Sequence, residues 1–424
     1  MDDVSQGAGG LLLDDADATR QSDLRGGMSP WAAGVKRLIR KPLTHNIAVD
    51  VLIVGAGITG SMMAERLTRL GHQVCIIDRE RPGFGSTVAS TAMLEWEIDR
   101  SLVELAAIYG FERAAEVYRL SLGAVGGLYE LVNAMPEVGS LRQRSTVYLA
   151  GGDNGARELL AEHELRKRAG LPGEFLDHRT LRAEFDFDRD AAIVSPGSAE
   201  VDPLRLSHAL LGAAVARGAM LFDAEAVSFD SGGGAVTVAT DTGGTIEAAN
   251  VVLATGYVMP DIVTSDLHKT ASSWVIATPP QAQGTLWRDG ALIWEASSPY
   301  LYARTTIDNR IVIGGEDDDQ IVEPDARDAL MPAKAEILRR KLHLLWPKAD
   351  TFAEFVWSGA FSTTVDGLPL IGQVPGHRHL FAAYGYGGNG ITFSYMASAM
   401  IGQLIAGQRQ AWFDHFAIDR TPVT

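Results

Sequence analysis

The sequence predicts an α/β layer on a parallel sheet, interleaved with an α+β lobe on an antiparallel sheet. Three observations predict it. At residues 51–70 an apolar run, a glycine-rich turn and a helical stretch follow one another. A second apolar run then ends in an acid at Asp78. Residues 269–321 hold several short alternating segments divided by turn residues. A chain of 424 residues has room for two intergrown domains.

Val51–Val54 reads as a strand buried on both faces. Gly55-Ala56-Gly57-Ile58-Thr59-Gly60 is the turn. Its first glycine permits a tight bend, its second lets a pyrophosphate approach the main chain, and its third lets the next helix pack on the strand. That helix runs from Ile58 to Leu70 and stops at Gly71. Its N-terminal amides and dipole suit phosphate. Gln73–Ile77 is the second strand. Asp78 lies 18 residues beyond Gly60, close to the ~20 expected of a ribose-binding carboxylate. An acid there selects a free 2′-hydroxyl, hence NAD or FAD and not NADP.

Downstream, Ser101–Met135 is a long helical stretch with a break near Gly110, and Gln143–Ala150 alternates as a strand. Asp153 is placed to cap a helix over Glu158–Arg168, Leu181–Phe185 is a helical turn, and Ala191–Ser195 is a strand. Asp202-Pro203 opens a helix reaching Arg217. Met220–Phe229, Ala235–Thr240 and Thr245–Ala248 form a meander, followed by a buried strand, Val251–Ala254. Ser273–Thr278, Ala291–Glu295, Tyr300–Thr305 and Arg310–Gly314 are antiparallel candidates. Arg327–Trp346 is a helix; strand His379–Ala383 leads through Gly387-Gly388-Asn389-Gly390 into a last helix, Ile391–Ala406. The nucleotide layer therefore draws on residues 46–100, 196–262 and 355–412. The second lobe draws on 101–195 and 263–354. Residues 413–424 form a C-terminal tail and 1–45 an N-terminal extension. Within it, 1–27 read as a flexible leader rich in Gly, Asp and Ser, with Met28 a possible alternative start.

Apolar residues make up 46% of the chain, enough for a large core, and 37 basic against 53 acidic residues give −16. That charge argues against a nucleic-acid partner. Lys36–Lys41 is a basic patch, read as a solvated surface. No run approaches the ~20 apolar residues of a membrane span. The single cysteine, Cys75, sits inside a strand and reads as a core thiol. The ten histidines show no metal-ligand spacing. With no secretory signal pattern either, the expected compartment is the cytoplasm.

Four stretches, Val51–Asp78, Gly85–Leu94, Val251–Tyr257 and Asp366–Thr392, make the chain resemble the FAD-dependent oxidoreductases of the D-amino-acid oxidase superfamily. This group includes glycine oxidase, sarcosine oxidase and glycerol-3-phosphate dehydrogenase. The resemblance implies a discontinuous, Rossmann-like FAD-binding domain of the GR2 type and a substrate-binding lobe. It implies that Gly55, Gly57, Ile58, Thr59 and Gly60 hold the pyrophosphate and that Asp78 and Arg79 lie at the adenosine ribose. Gly85, Ser86, Thr87, Ser90 and Thr91 would serve the pyrophosphate and ribityl chain. Ala92 and Met93 would lie along the isoalloxazine, Val227 at adenine, and Thr255 and Gly256 over the cofactor. Gly388, Asn389, Gly390, Ile391 and Thr392 would aim amides and a helix N-terminus at the flavin pyrimidine, favouring reduction. The chain departs from its relatives at Ala89, where some carry a flavin-linked histidine, and in lacking a cysteine in the second lobe. FAD is therefore expected to be non-covalent. At Gly388, glycine-oxidase-like members carry an arginine that clamps a substrate carboxylate.

For the substrate, Tyr300, Tyr302 and Arg304 share one strand face. Arg304 is a candidate clamp for an anion, or else the partner of a surface acid. Tyr302 and Tyr386 join it as catalytic candidates. Glu95, in the acidic pair of Glu95-Trp96-Glu97, is a candidate partner for a cationic amine, and Tyr257, Trp274 and Trp357 are candidate walls. The expected activity is oxidation of a small amine or amino acid by hydride transfer to flavin N5, with molecular oxygen or an electron-transfer carrier as acceptor. Dehydrogenation of a hydroxy acid or polyol phosphate, and a non-catalytic FAD-binding subunit, are the alternatives. Oligomeric state is left open.

Overall fold

The computed structural model describes residues 21–421, except 34, 36–37, 39, 136–140, 153 and 298–299. Asp153, and Lys36 and Arg37 of the basic patch, lie outside the described residues.

Two sheets organise the molecule. The nucleotide-type sheet has Ile47–Val54 at its centre. Val74–Asp78 runs parallel on one side and Thr245–Leu253 on the other. Met220–Asp223 extends it beyond Val74–Asp78, and Leu380–Tyr384 runs parallel to Thr245–Leu253. The apolar runs of Ile47–Val54, Val74–Asp78, Thr245–Leu253 and Leu380–Tyr384 are buried on both faces, as parallel strands require, whereas Met220–Asp223 is half-buried. Helices Ile58–Arg69, Pro203–Ala216 and Gly390–Ile405 pack against one another beside this sheet. Asp202 caps the second of them, accepting from the amides of Leu204 and Arg205. The meander begins only at Ala226–Asp230, because Met220–Asp223 belongs to the parallel run. Residues 245–253 are one strand, not two. Along one edge it runs parallel to Ile47–Val54 throughout, while on the other its first half pairs with the meander and its second half with Leu380–Tyr384.

The larger sheet, mainly antiparallel, runs from Arg25–Gly27 through Phe355–Thr364, His268–Ala277, Ile311–Asp318 and Leu301–Thr305. It continues to Leu292–Glu295, Arg142–Leu149 and Ala191–Glu200, and ends at Met93–Leu94. Helix Met331–Leu345 covers one face through Ala335, Leu338, Leu342 and Leu345.

Four expectations are corrected. Residues 21–27 are no leader: Arg25–Gly27 pairs with Trp357–Gly359, and Leu24 and Arg25 are buried. Phe355–Thr364 and residues 196–200 belong to the larger sheet and not to the nucleotide layer. Helices Leu102–Tyr109 and Phe111–Asn133, broken at Gly110 as expected, share a core with Val51, Ile53 and Met63, and the longer packs on both helix Gly390–Ile405 and strand Ala191–Glu200, so they join the two layers rather than belonging to the second lobe alone. The expected helix 327–346 is two, Pro324–Ala329 and Met331–Leu345. Among the described residues no helix is long and apolar enough to cross a membrane.

Candidate active site

A cavity of about 520 Å³ opens at the ends of the parallel strands. Gly55, Gly57, Ile58, Thr59, Asp78, Arg79, Gly85, Ser86, Thr87, Ser90, Val227, Thr255, Gly256, Gly390 and Ile391 line it. Its geometry fits a dinucleotide. A Cβ on Gly57 would meet only the Thr87 hydroxyl, at 3.1 Å, so this turn leaves the main chain open to the cavity. A Cβ on Gly60 would lie 1.8 Å from the Gly55 carbonyl oxygen. Gly60 therefore serves helix–strand packing and is absent from the wall. Thr87 Oγ1 accepts from the Ile58 amide at 2.8 Å, tying the second loop to the helix N-terminus. Asp78 accepts from the amides of Ala56 and Glu80. Burial outweighs those bonds and pushes its carboxyl up to about 6. Ser86 Oγ is buried without a hydrogen-bond partner, as a hydroxyl reserved for a ligand would be. Among the described residues, no histidine or cysteine lines this cavity or the next.

A smaller cavity, about 130 Å³, adjoins the first, and Ser86, Ser90, Tyr257 and Gly390 line both. Thr91, Met93, Glu95, Glu97, Asp99, Tyr300, Tyr302, Trp294, Ser273, Val275 and Phe361 complete much of its wall. Its charged residues are all acids. Glu97 is fully buried, accepts from Thr146 Oγ1 at 2.5 Å and has Arg166 behind it at 3.4 Å. Glu95 has no such cation, and its Oε1 is buried without a partner. Desolvation, together with Glu97 and Asp99 nearby, pushes its carboxyl well above the usual range. Asp99 stands at the mouth with one side open to solvent and accepts from the Gly388 amide at 2.9 Å. Burial pushes the Tyr257 and Tyr302 phenols up, so both remain protonated donors at neutral pH.

Several predicted site residues are elsewhere. Trp274 is fully buried against helix Met331–Leu345, its indole donating to the Arg327 carbonyl. Alternation along the strand gives the cavity Ser273 and Val275 instead. Trp357 likewise donates into the protein, to the Ala89 carbonyl. Arg304 is 3% exposed and is no substrate clamp. Its Nη1 donates to the carbonyls of Thr91, Ala92 and Val201, and its Nε lies 3.2 Å from Glu200. Tyr386 lines the large cavity, 3.3 Å from the Thr59 hydroxyl, rather than the small one. The side chains of Asn389 and Thr392 are spent on the protein: both donate to the Glu95 carbonyl, and Asn389 also to that of Glu97. Ala92 stands behind the wall at φ +54°.

Asp99, Ser273, Trp294 and Phe361 are wall residues that the sequence reading does not single out, whereas Glu97 lies in the acidic pair it names with Glu95. A signal existed for the acids. Glu95, Glu97 and Asp99 alternate with Trp96 and Ile98, which are buried in the core, so an extended chain puts the three carboxylates on one side.

A family model described as "FAD dependent oxidoreductase" (DAO) matches residues 50–404. Glycine oxidase of Geobacillus kaustophilus is 27% identical over 392 residues, covering 87% of this chain and 96% of its own. Gamma-glutamylputrescine oxidoreductase of Escherichia coli is 24% identical over 383 residues, covering 88% and 87%. The solved glycine oxidase from Geobacillus kaustophilus superposes with a TM-score of 0.73 at 22% identity, over 88% of this chain and 99% of the other. L-proline dehydrogenase from P. horikoshii gives 0.74 at 18% identity, over 90% and 98%. These two likenesses bear on the fold. With the family model spanning most of its length, the chain belongs to the DAO family of FAD-dependent oxidoreductases.

Proposed function

We propose that the protein oxidises a C–N bond of a small amine that carries no carboxylate beside the reacting carbon. The observation that supports this reading is the wall of the small cavity: Glu95, Glu97 and Asp99 and, among the described residues, no lysine, arginine or histidine. An amino acid, hydroxy acid or polyol phosphate would set its anion against these acids, whereas an ammonium group neutralises Glu95. Names among the relatives, glycine oxidase and gamma-glutamylputrescine oxidoreductase, fit a nitrogen-bearing substrate.

In this reading the turn at Gly55–Gly60, Asp78, the loop 85–91 and the start of the last helix hold FAD. The bound cofactor supplies the acceptor for the hydride leaving the carbon beside nitrogen; water hydrolyses the resulting imine. Glu95 Oε1 receives the proton the ammonium group must lose first, a task suited to a carboxyl with a raised pKa. Tyr257 and Tyr302 orient the nitrogen, and Trp294 and Phe361 exclude water.

Anaerobic addition of amines to the holoenzyme tests this by loss of flavin absorbance. Bleaching by amines and not by lactate or glycerol 3-phosphate is expected. Bleaching by the hydroxy compounds alone moves the assignment to CH–OH chemistry, and no bleaching by any of them moves it to a non-catalytic subunit. Oxygen uptake set against reduction of an artificial dye separates an oxidase from a dehydrogenase.

A further inference from the structure

Outside the small cavity lies a vestibule of about 380 Å³. Asp99, Tyr300 and Phe361 line both, so the two adjoin. The vestibule adds Asp317, Asp318 and Asp319 and no cationic wall residue. Asp317 is aimed there by a bulge. The register between His268–Ala277 and Ile311–Asp318 shifts after Gly315, and Glu316 takes φ +61°. The extra residue turns Glu316 toward Lys334 and Lys341, with which it is ion-paired, while Asp317 lines the opening. The hydroxyls of Ser273 and Tyr300 bond to the Asp317 carboxylate, but its Oδ1 is a buried oxygen left without a hydrogen-bond partner, as is Glu95 Oε1 in the inner cavity. An unpartnered carboxylate oxygen therefore marks each of the two adjoining cavities, with Tyr300 and Phe361 in the wall they share. The nearby cations are occupied: Lys334 also donates to the Glu316 carbonyl, and Arg100, beside Asp99, donates to that of Val365 and lies 3.6 Å from Glu104. A buried, unpartnered oxygen points to a donor supplied from outside the chain.

We propose that the substrate is a linear diamine or polyamine. One amino group is oxidised beside Glu95, while a second ammonium, on an aliphatic stem passing Tyr300 and Phe361, is held by Asp99 and Asp317. This rests on the amine reading above, and its oxidation step is the one given there.

The test compares kcat/KM of the holoenzyme for 1-aminobutane, 1,4-diaminobutane and 1,5-diaminopentane, in the wild type, Asp317→Asn and Asp317→Glu. The diamines are expected to exceed the monoamine by about tenfold or more, the worth of one hydrogen bond to a charged, buried group. That ratio should fall toward one in Asp317→Asn through a higher KM for diamines, and Asp317→Glu should keep most of it. Equal kcat/KM for monoamine and diamines in the wild type overturns the proposal and leaves amine oxidation standing; so does a ratio that Asp317→Asn leaves untouched. No reaction with any amine overturns both. If the Asn variant does not fold, the wild-type ratio decides.

Discussion

Arg304 Nη1 donates to the carbonyl oxygen of Ala92 at 2.8 Å, and Ala92 is held in the left-handed region at φ +54°. A non-glycine residue persists there only when its surroundings over-determine it. The guanidinium also binds the carbonyls of Thr91 and Val201, so it fixes the loop that carries Ser90, Thr91 and Met93 to the cavities. Arg304 is a positioning residue. Arg304→Met should lower unfolding free energy by about 2–4 kcal/mol, through carbonyls left unpaired. It should loosen FAD by about tenfold, while flavin-saturated protein keeps its amine KM. Denaturant titration, flavin retention and steady-state kinetics read the three; a raised KM with FAD held normally would return Arg304 to the substrate wall.

Gly57 and Gly60 should fail differently. Gly57→Val fills the approach to the main chain with little of the protein in its way, so a folded, colourless protein is expected. Gly60→Ala drives a methyl onto the Gly55 carbonyl, so loss of the fold itself is expected. Circular dichroism alongside flavin content distinguishes them.

Trp274→Ala should destabilise by about 3–5 kcal/mol, the cost of emptying a large core site, and leave KM unchanged. Ser273→Val, one residue away but on the cavity face, should shift KM and barely move the melting temperature.

Arg420 pairs with Asp366 through two hydrogen bonds of 2.8 Å, both side chains being buried. Hydrogen bonds from Arg420 and Tyr109 outweigh burial and hold the Asp366 carboxyl at about 2. A depressed carboxyl contributes stability above its unfolded value of 3.8 and loses it as pH falls through about 2. The shift corresponds to about 2 kcal/mol. Arg420→Met should cost about 3–5 kcal/mol at neutral pH, because it strands a buried carboxylate, and should flatten the acid limb of the stability curve.

Burial, with Asp99 nearby, pushes Asp317 up to about 6, against the hydrogen bonds from Ser273 and Tyr300 and the pull of Lys334. Its charge is present above that pH and lost below it. The diamine-to-monoamine ratio of kcat/KM should therefore decline as pH drops through about 6 and be flat above 7. Taking the ratio cancels the titration of Glu95, which both substrates meet.

The parallel layer was legible because its signals are local: apolar runs, glycines at fixed offsets, an acid 18 residues on. Sidedness was not. Ser273 and Trp274 differ by one position on a strand, and only the helix lying on one face decides which is outward. The reach of Arg304 depends on a loop more than 200 residues earlier. Residues 21–27 carry the composition of a leader, yet their strand partner is residues 357–359. Asp317–Asp319 reads as a solvated charge run until the bulge at Glu316 gives it a direction.

The bonds from Asn389 and Thr392 to Glu95 and Glu97 join segments nearly 300 residues apart. On the ribosome, the acidic segment 95–99 emerges long before the helix that fastens it. A nascent chain can thus make the glycine turn early, but it cannot finish the chamber until almost all of it has been synthesised. Capture of the cofactor becomes a late, quality-sensing event: chains cut short ahead of residue 389 should remain uncoloured and be cleared by proteases.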